Sequence, residues 1–373
     1  MRTNFQRVLL GNLSGSVLAA CIGSGQAVAL TIGFTSGEFD TLPRLVQEAA
    51  VDAALRTAAP WSGGADVTVR LRFEGFEPGN PVLASATSYR SDYDYAAVRD
   101  ALGPGLGPGA DALLQPGDTF TYLANGDGSL GRSRTLSVNS ATAKQLRLTP
   151  NASGKVDGEV SFNSGMAFDF DPSDGIAPDA YDFEGILMHE IGHILGFHSS
   201  TGQSDQVLAS RESPTLLDLF RFSDLSLATG AALGIDYMPD LSDDARAKYF
   251  LGASGVEGAP LTAIPQSTGA HGDGAQPSHW KAGLDLGLMD PFFHRGEERA
   301  QWGANDLMFF DAIGYDLCCE QGAESEPAPV PIPPAIWGLL LGLAALIGLR
   351  PGSGRLSRPA GRRTPRSARL PAW

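Results

Sequence analysis

The residues best suited to chemistry in this chain are two histidines and a glutamate within HEIGHILGFHS, residues 189–199. On a helix of about 3.6 residues per turn, His189 and His193 project from the same face, one turn apart. Both imidazoles can then reach one metal ion. Glu190 points away from the pair and can act as a general base on a water at the metal. The spacing therefore predicts a catalytic zinc site with Glu190 as its base.

This motif needs a helix to position it, and the surrounding residues predict one over 183–195. Gly196 follows directly and permits the left-handed turn that ends many helices. Apolar residues at helical spacing are expected to face the core, namely Ile186, Leu187, Ile191, Ile194 and Leu195.

The rest of the domain is expected to mix strands and helices, opening with a strand, a helix and a second strand. These elements follow from the alternation or helical spacing of apolar residues. The predicted strands lie at 30–34, 66–73 and 158–162, with 166–170 extending the sheet of the last one, and the predicted helices lie within 41–58, near 93–102 and near 242–250.

A catalytic zinc ion usually takes three protein ligands and leaves one position open, so a third ligand is required. His198 is close in sequence, but on a continuing helix it would point about 180° away from His189. It could ligate only if the chain turned sharply at Gly196. Other candidates lie far downstream, at His271, His279 and His294.

The segment SHWKAGLDLGLMDP, residues 278–291, resembles the leishmanolysin branch of the metzincins in pairing His279-Trp280 with Leu288-Met289. In that branch a long insertion separates the HExxH helix from the third zinc histidine, and a methionine forms a turn beneath the metal. The resemblance implies that His279 is the third ligand and Met289 the Met-turn residue. It also implies that 305–317 is the helix that closes the catalytic domain.

A longer pattern covers more of the chain: FDFDPSDGI…FEG…HEIGHILGF…SPTLLDLFRFS…SHW…LMDP. It is similar to a family of exported bacterial metalloproteases that carry sorting signals. The implied fold is α+β, a metzincin-like zincin domain over 30–320. It would contain a mixed twisted sheet, an active-site helix, and a C-terminal subdomain with the Met-turn and closing helix.

The implied function is zinc-dependent hydrolysis of peptide bonds in a protein or peptide substrate, with His189, His193 and His279 as ligands and Glu190 as base. The sequence departs from some metzincins after Met289, where Asp290-Pro291-Phe292-Phe293 offers no tyrosine to stabilise an oxyanion. Two alternatives stay open. One is a non-catalytic, metal-stabilised surface or extracellular-matrix protein, and the other is a zinc hydrolase that acts on a non-peptide bond.

The first residues predict export. Arg2 and Arg7 precede an apolar run and then Ala27-Val28-Ala29, the layout of a signal peptide over 1–29 with cleavage after Ala29. An alternative is a lipoprotein signal that ends at Leu18-Ala19-Ala20-Cys21, with lipidation of Cys21.

The C-terminal end has its own organisation, with a proline-rich spacer over 321–334, an apolar segment over 335–349 and an arginine-rich tail over 350–373. The apolar segment is barely long enough to span a membrane, and the arginines favour a cytoplasmic tail. This order resembles PEP-CTERM sorting signals, which are recognised by an exosortase and typically removed. The alternative is a plain tail anchor. The expected location is the cell surface, the outer membrane or the extracellular space.

The net charge of −15 understates the acidity of the exported region, because nine of the 27 basic residues lie in the two end segments. All 42 acidic residues lie between Glu38 and Glu326, so the region repels nucleic acid. Of three cysteines, Cys318 and Cys319 are neighbours, which argues against a disulfide scaffold. Calcium is a further cofactor candidate at Asp169, Asp171 and Asp174, with a solvated acidic turn as the alternative.

Overall fold

The computed structural model describes residues 16–18, 30–103, 105–106, 111–151, 154–201, 213–253 and 261–317. The chain divides into two compact units, Met1–Cys319 and Glu320–Trp373, and every described residue belongs to the first. The predicted spacer, apolar segment and arginine-rich tail therefore lie outside the described residues, as do Cys318, Cys319 and most of the predicted signal peptide. In the described ranges, no helix has the length and apolar character needed to cross a membrane.

The described unit is a mixed α/β structure with several small sheets. Its strands are β1 (Ser16–Leu18), β2 (Thr31–Phe34), β3 (Asp66–Glu74), β4 (Ala84–Ser88), β5 (Arg90–Asp94), β6 (Phe120–Leu123), β7 (Leu130–Ser133), β8 (Thr135–Asn139), β9 (Gly158–Asn163), β10 (Phe168–Asp169), β11 (Tyr181–Asp182), β12 (Arg221–Phe222), β13 (Lys248–Gly252) and β14 (Thr262–Gln266). Its α-helices are α1 (Arg44–Ala58), α2 (Tyr95–Leu102), α3 (Ser140–Gln145), α4 (Phe183–Leu195), α5 (Leu216–Leu219), α6 (Asp224–Leu233) and α7 (Ala304–Ala312).

The largest sheet has five strands in the order β1-β2-β3-β9-β4. Strands β2, β3 and β9 are parallel, whereas β1 and β4 run antiparallel to their neighbours at the two edges. Along β3, Val67, Val69 and Leu71 are buried and alternate with partly exposed residues, as expected for one buried sheet face. The strand–helix–strand opening predicted from the sequence is confirmed by β2, α1 and β3.

The motif helix α4 has the predicted bounds and packs against α1, β4 and β9. The Asp182 carboxylate caps its first turn by accepting the Gly185 amide at 2.9 Å. At the other end Gly196 has φ 128°, a conformation that favours glycine, and it stops the helix. The last carbonyls accept hydrogen bonds from Ser88, Asn139 and Thr142, so both ends of α4 are fixed within the core.

Two predicted elements were wrong. Residues 166–170 do not extend the main sheet, because β10 pairs instead with β11 in a separate two-stranded sheet. The helix predicted near 242–250 is a turn followed by β13, which lies between β12 and β14. In that turn the carboxylates of Asp240 and Asp244 accept the backbone amides of Ser242 and Arg246, and such local bonds compete with helix formation.

Helix α7 closes an aromatic core beneath the motif helix. It supplies Phe309 and Phe310, which contact Phe197, and Phe310 also contacts Trp61 and Trp302. The closing helix expected over 305–317 is shorter in the structure and ends at Ala312. The distant region before α7 reaches the motif helix through Met289 and Trp302, the side chains nearest to Gly192.

Candidate metal centre

Three histidines from two distant parts of the chain converge where α4 lines a cleft. His189 and His193 project from the helix, and His279 lies in the segment after β14. The Nε2 atom of His189 lies 3.1 Å from that of His193 and 3.3 Å from that of His279. Within the described ranges, this is the one group of three or more potential metal-binding side chains.

The second nitrogen of each ring faces a backbone carbonyl, and this fixes the tautomer. Nδ1 of His189 donates to the Leu288 carbonyl at 2.8 Å, and Nδ1 of His193 donates to the Phe197 carbonyl at 2.7 Å. Nδ1 of His279 faces the Gln276 carbonyl at 3.3 Å. Since a carbonyl can only accept, the proton belongs on Nδ1 and each Nε2 presents a lone pair. Three Nε2 lone pairs this close together could bind one cation between them.

The spacing of these nitrogens fits zinc. Zinc–nitrogen bonds of about 2.0–2.1 Å at tetrahedral angles would separate two nitrogens by about 3.4 Å. The 3.1 and 3.3 Å separations between the Nε2 atoms come close to that value without rearrangement. The donor set of three neutral imidazoles is also one that zinc prefers.

Burial keeps these imidazoles neutral. It lowers the pKa of His193 to about 4 and that of His279 to about 3. Burial, together with the neighbouring His193 and His279, lowers the pKa of His189 well below its ordinary value. At neutral pH all three rings are therefore unprotonated at Nε2 and ready to bind a metal without first losing a proton.

Glu190 lies in the same cleft as the three histidines but outside the nitrogen cluster. Burial raises the pKa of its carboxyl to about 8, and the backbone amide of Ala86 on β4 partly offsets this by favouring the charged form. A nearby divalent cation would stabilise the carboxylate further and lower this pKa. Ionisation of Glu190 is therefore coupled to occupation of the metal site.

Met289 lies directly beneath the motif, against Gly192 of α4. A Cβ at Gly192 would come within 2.6 Å of the Met289 sulfur and 3.2 Å of Trp302. This contact explains why glycine stands inside the motif. The backbone of Trp280 also donates to the Met289 carbonyl at 3.0 Å, which fixes the His279 segment to the Met289 turn.

Asp306 on α7 holds this arrangement together, and sequence reasoning missed it. Its buried carboxylate accepts the Trp280 indole N–H at 2.7 Å and the Leu288 amide at 2.7 Å. It also accepts the amides of Met289 at 3.2 Å and Gly303 at 2.8 Å. Because the Leu288 carbonyl accepts from His189 and Trp280 follows His279, Asp306 supports two of the three histidines.

We expect Asp306→Asn to weaken zinc binding by roughly tenfold to a hundredfold, the usual cost of losing an outer-shell partner. The amide has one acceptor oxygen and a donor group that would face N–H donors. Competition with a chromogenic zinc chelator would measure the affinity. Asp311→Asn, on the same helix but away from the four Asp306 partners, is the control. Equal zinc affinity in wild type and Asp306→Asn would contradict the supporting role.

The other histidines considered as third ligands lie outside the cluster. His198 lines the cleft, but it is not part of the three-histidine group. The chain does turn at Gly196, yet the His198 Nε2 is buried and has no hydrogen-bond partner among the described residues. His271 bonds to Asp243 at 2.6 Å and is largely exposed, and His294 is exposed.

The acidic turn proposed for calcium uses its carboxylates locally. Asp169 accepts the amides of Asp171 and Ala177 at 3.0 and 2.8 Å, and Asp171 accepts the Ser173 amide at 3.2 Å. These bonds build the turn that leads into β11 and α4. The three aspartates do not form a metal-binding group in the described structure.

The histidines open into a cleft of about 930 Å³. One wall is β4, an edge strand of the described main sheet. Its apolar lining residues include Pro81, Val82, Leu83, Ile186, Pro291, Phe292 and Phe293, and the Phe293 ring lies beside that of His189. Its polar lining residues include Ser88, Arg90, His198, Ser199 and Thr201.

Comparison with known proteins gives no family and no relative: no family model, curated protein or solved structure matches this chain. The function is therefore inferred from the geometry of the cleft and from the sequence motifs.

Proposed function

We propose that this protein is an exported zinc-dependent endopeptidase with a metzincin-like domain. The observation that carries the proposal is the convergence of three Nε2 lone pairs beside a buried glutamate, at the floor of a cleft with an edge strand in its wall. His189, His193 and His279 would hold the ion. Three protein ligands beside an open cleft would be the ligand number of catalytic rather than structural zinc sites.

Zinc bound there would supply Lewis acidity, lowering the pKa of a water molecule and polarising a carbonyl group. Glu190 would accept the proton of that water and then donate it to the leaving amine. Burial favours the protonated form of Glu190 and a bound cation would favour its carboxylate, and these opposing effects suit a group that accepts a proton and then releases it. The Ala86 amide keeps the carboxyl near β4.

The edge strand offers a way to bind the substrate. An exposed edge can pair with an extended peptide through backbone hydrogen bonds, which favours peptide over ester or sugar substrates. All five residues of β4 line the cleft, so a paired peptide would lie in the same cleft as the three histidines. This supports an endopeptidase that takes unfolded or extended segments.

Export and surface attachment are proposed from the sequence alone. The predicted signal peptide over 1–29 and the predicted segment over 335–349 support secretion followed by sorting or anchoring. Cleavage after Ala29 would remove β1 and leave β2 at that edge of the sheet. An acidic surface suits a protein that meets other proteins and not nucleic acid.

Removal of the metal tests the function directly. Dialysis of the purified protein against a chelator should abolish hydrolysis of a casein-type substrate, and about one zinc per chain should restore it. Circular dichroism on the metal-free protein checks that the fold survives. Hydrolysis that persists without metal would contradict the proposal. Bound zinc with no hydrolysis of any polypeptide would favour the metal-stabilised, non-catalytic alternative.

A further inference from the structure

We infer that Arg299 is a positioning residue that holds the apolar wall formed by Phe292 and Phe293, and that this wall selects a large apolar side chain of the substrate. The inference rests on the proposed peptidase function. Arg299 lies in the segment between Met289 and α7 and is only 13% exposed. It matches none of the motifs in the sequence.

The guanidinium group of Arg299 bonds to four groups of the segment that precedes it. It donates to the carbonyl of Gly287 at 3.0 Å and to that of Phe292 at 3.2 Å. It also donates to the carboxylates of Asp285 and Asp290 at 3.2 and 3.4 Å. One side chain therefore fixes the turn that contains Met289 and the wall that follows it. The planar guanidinium group has five donors and can bond several acceptors at once. Lysine has three donors on a single nitrogen and cannot reach all of them.

The backbone of Arg299 is attached to the motif helix. Its amide donates to the Asp182 carboxylate at 2.7 Å, and the other oxygen of that carboxylate caps α4 through Gly185. The position of the wall is thus set relative to the helix that carries His189 and His193. A shift of Arg299 would move the wall against the metal site.

The wall itself is suited to an apolar partner. Phe292 is 60% exposed, an unusual state for a phenylalanine, and it lines the cleft. The ring centre of Phe293 lies 5.4 Å from that of His189 and 5.5 Å from the Arg299 guanidinium carbon. Val82, 43% exposed, also lines the cleft. A substrate side chain bound here would be covered by apolar surface right beside a metal ligand.

The charges of the cleft argue against a basic side chain at this wall. Although the chain has 42 acidic residues, Glu190 is the sole acidic residue among those that line the described cleft. Arg299 lies behind the wall, where the carboxylates of Asp285 and Asp290 neutralise its charge and are themselves already paired. A lysine or arginine of the substrate would lose hydration without gaining a partner.

The test uses a set of peptides that differ at the residues flanking the cleaved bond, with phenylalanine, leucine, alanine or lysine in turn. Wild type should prefer phenylalanine or leucine over alanine by roughly tenfold to a hundredfold in kcat/KM at one position, with lysine lowest. Arg299→Ala should remove most of this preference, mainly by raising KM for the apolar peptides. Arg299→Lys should remove part of it.

Two controls separate positioning from folding. Arg246→Ala removes an arginine that also bonds a carboxylate, of Asp244, and a carbonyl, of Gly126, but lies outside the cleft lining. It should leave the preference unchanged. Zinc content should stay near one per chain in every variant. If Arg299→Ala does not fold, the positioning role is tested by Arg299→Lys, which should lose part of the preference for apolar peptides.

Binding gives a readout that does not need catalysis. The zinc-loaded Glu190→Ala protein should bind the phenylalanine peptide more tightly than the alanine peptide, and Arg299→Ala in that background should abolish the difference. An equal loss for every peptide, or an unchanged preference, would overturn the role of Arg299. If wild type cleaves no peptide, the peptidase proposal fails, and these binding measurements still decide whether Arg299 holds an apolar binding wall.

Discussion

Replacing Glu190 with alanine is expected to lower kcat by about 10³-fold while zinc remains bound. A positioned general base typically contributes about 10²–10⁴-fold, and no second carboxylate lines the described cleft to replace it. Glu190 lies outside the nitrogen cluster, so its removal leaves the three imidazoles intact. The loss should therefore appear in turnover and not in metal content.

The measurement pairs a quenched fluorescent peptide assay with zinc analysis of the same protein sample. Glu184→Gln is a matched control, because Glu184 is also a buried glutamate of α4 but pairs with Arg56 on α1 at 3.1 Å. Burial raises the pKa of Glu184 to about 7, and its loss should affect stability more than kcat. Full activity in Glu190→Ala would remove Glu190 from the mechanism. Equal loss of zinc and activity would make it a structural residue.

The local part of the site could be predicted from the sequence because it depends on one helix. The spacing of His189 and His193 sets their common face, and Gly196 marks the helix end. Backbone geometry within a single turn decides both features. No contact with a distant residue is needed to infer them.

The long-range part could not be derived in the same way. His279 lies 90 positions from His189, and helix geometry cannot choose between it and His198. Resemblance to a known motif suggested His279, and the structure places its Nε2 within 3.3 Å of that of His189. No sequence pattern predicts the roles of Asp306 and Arg299. Their roles arise from several backbone groups that come together only in the folded chain.

The wrong element predictions have a related cause. Residues 166–170 and β9 both have the apolar content of strands, but nothing local says which strand each will pair with. The partner of β10 is β11, which the acidic turn at Asp169 and Asp171 brings back beside it. The pairing of β10 with β11 therefore depends on the hydrogen bonds of the turn between them, which strand propensity does not predict.

Replacing His279 with alanine is expected to reduce zinc affinity by more than about 100-fold, since even the loss of an outer-shell partner costs up to that much. Two imidazoles would remain, which is fewer than catalytic zinc sites use. Hydrolysis should be lost together with the metal. This behaviour differs from that of Glu190→Ala, in which zinc stays.

His198→Ala is the matched comparison for this prediction, because it removes a histidine that lines the same cleft and lies nearer in sequence to the motif. At micromolar protein with equimolar zinc, wild type and His198→Ala should each retain about one zinc per chain, and His279→Ala should retain little. The opposite pattern would mean that the chain beyond Gly196 turns back to supply the third ligand. Asp306 would then support the metal site only through Leu288 and His189, and no longer through the Trp280 indole beside His279.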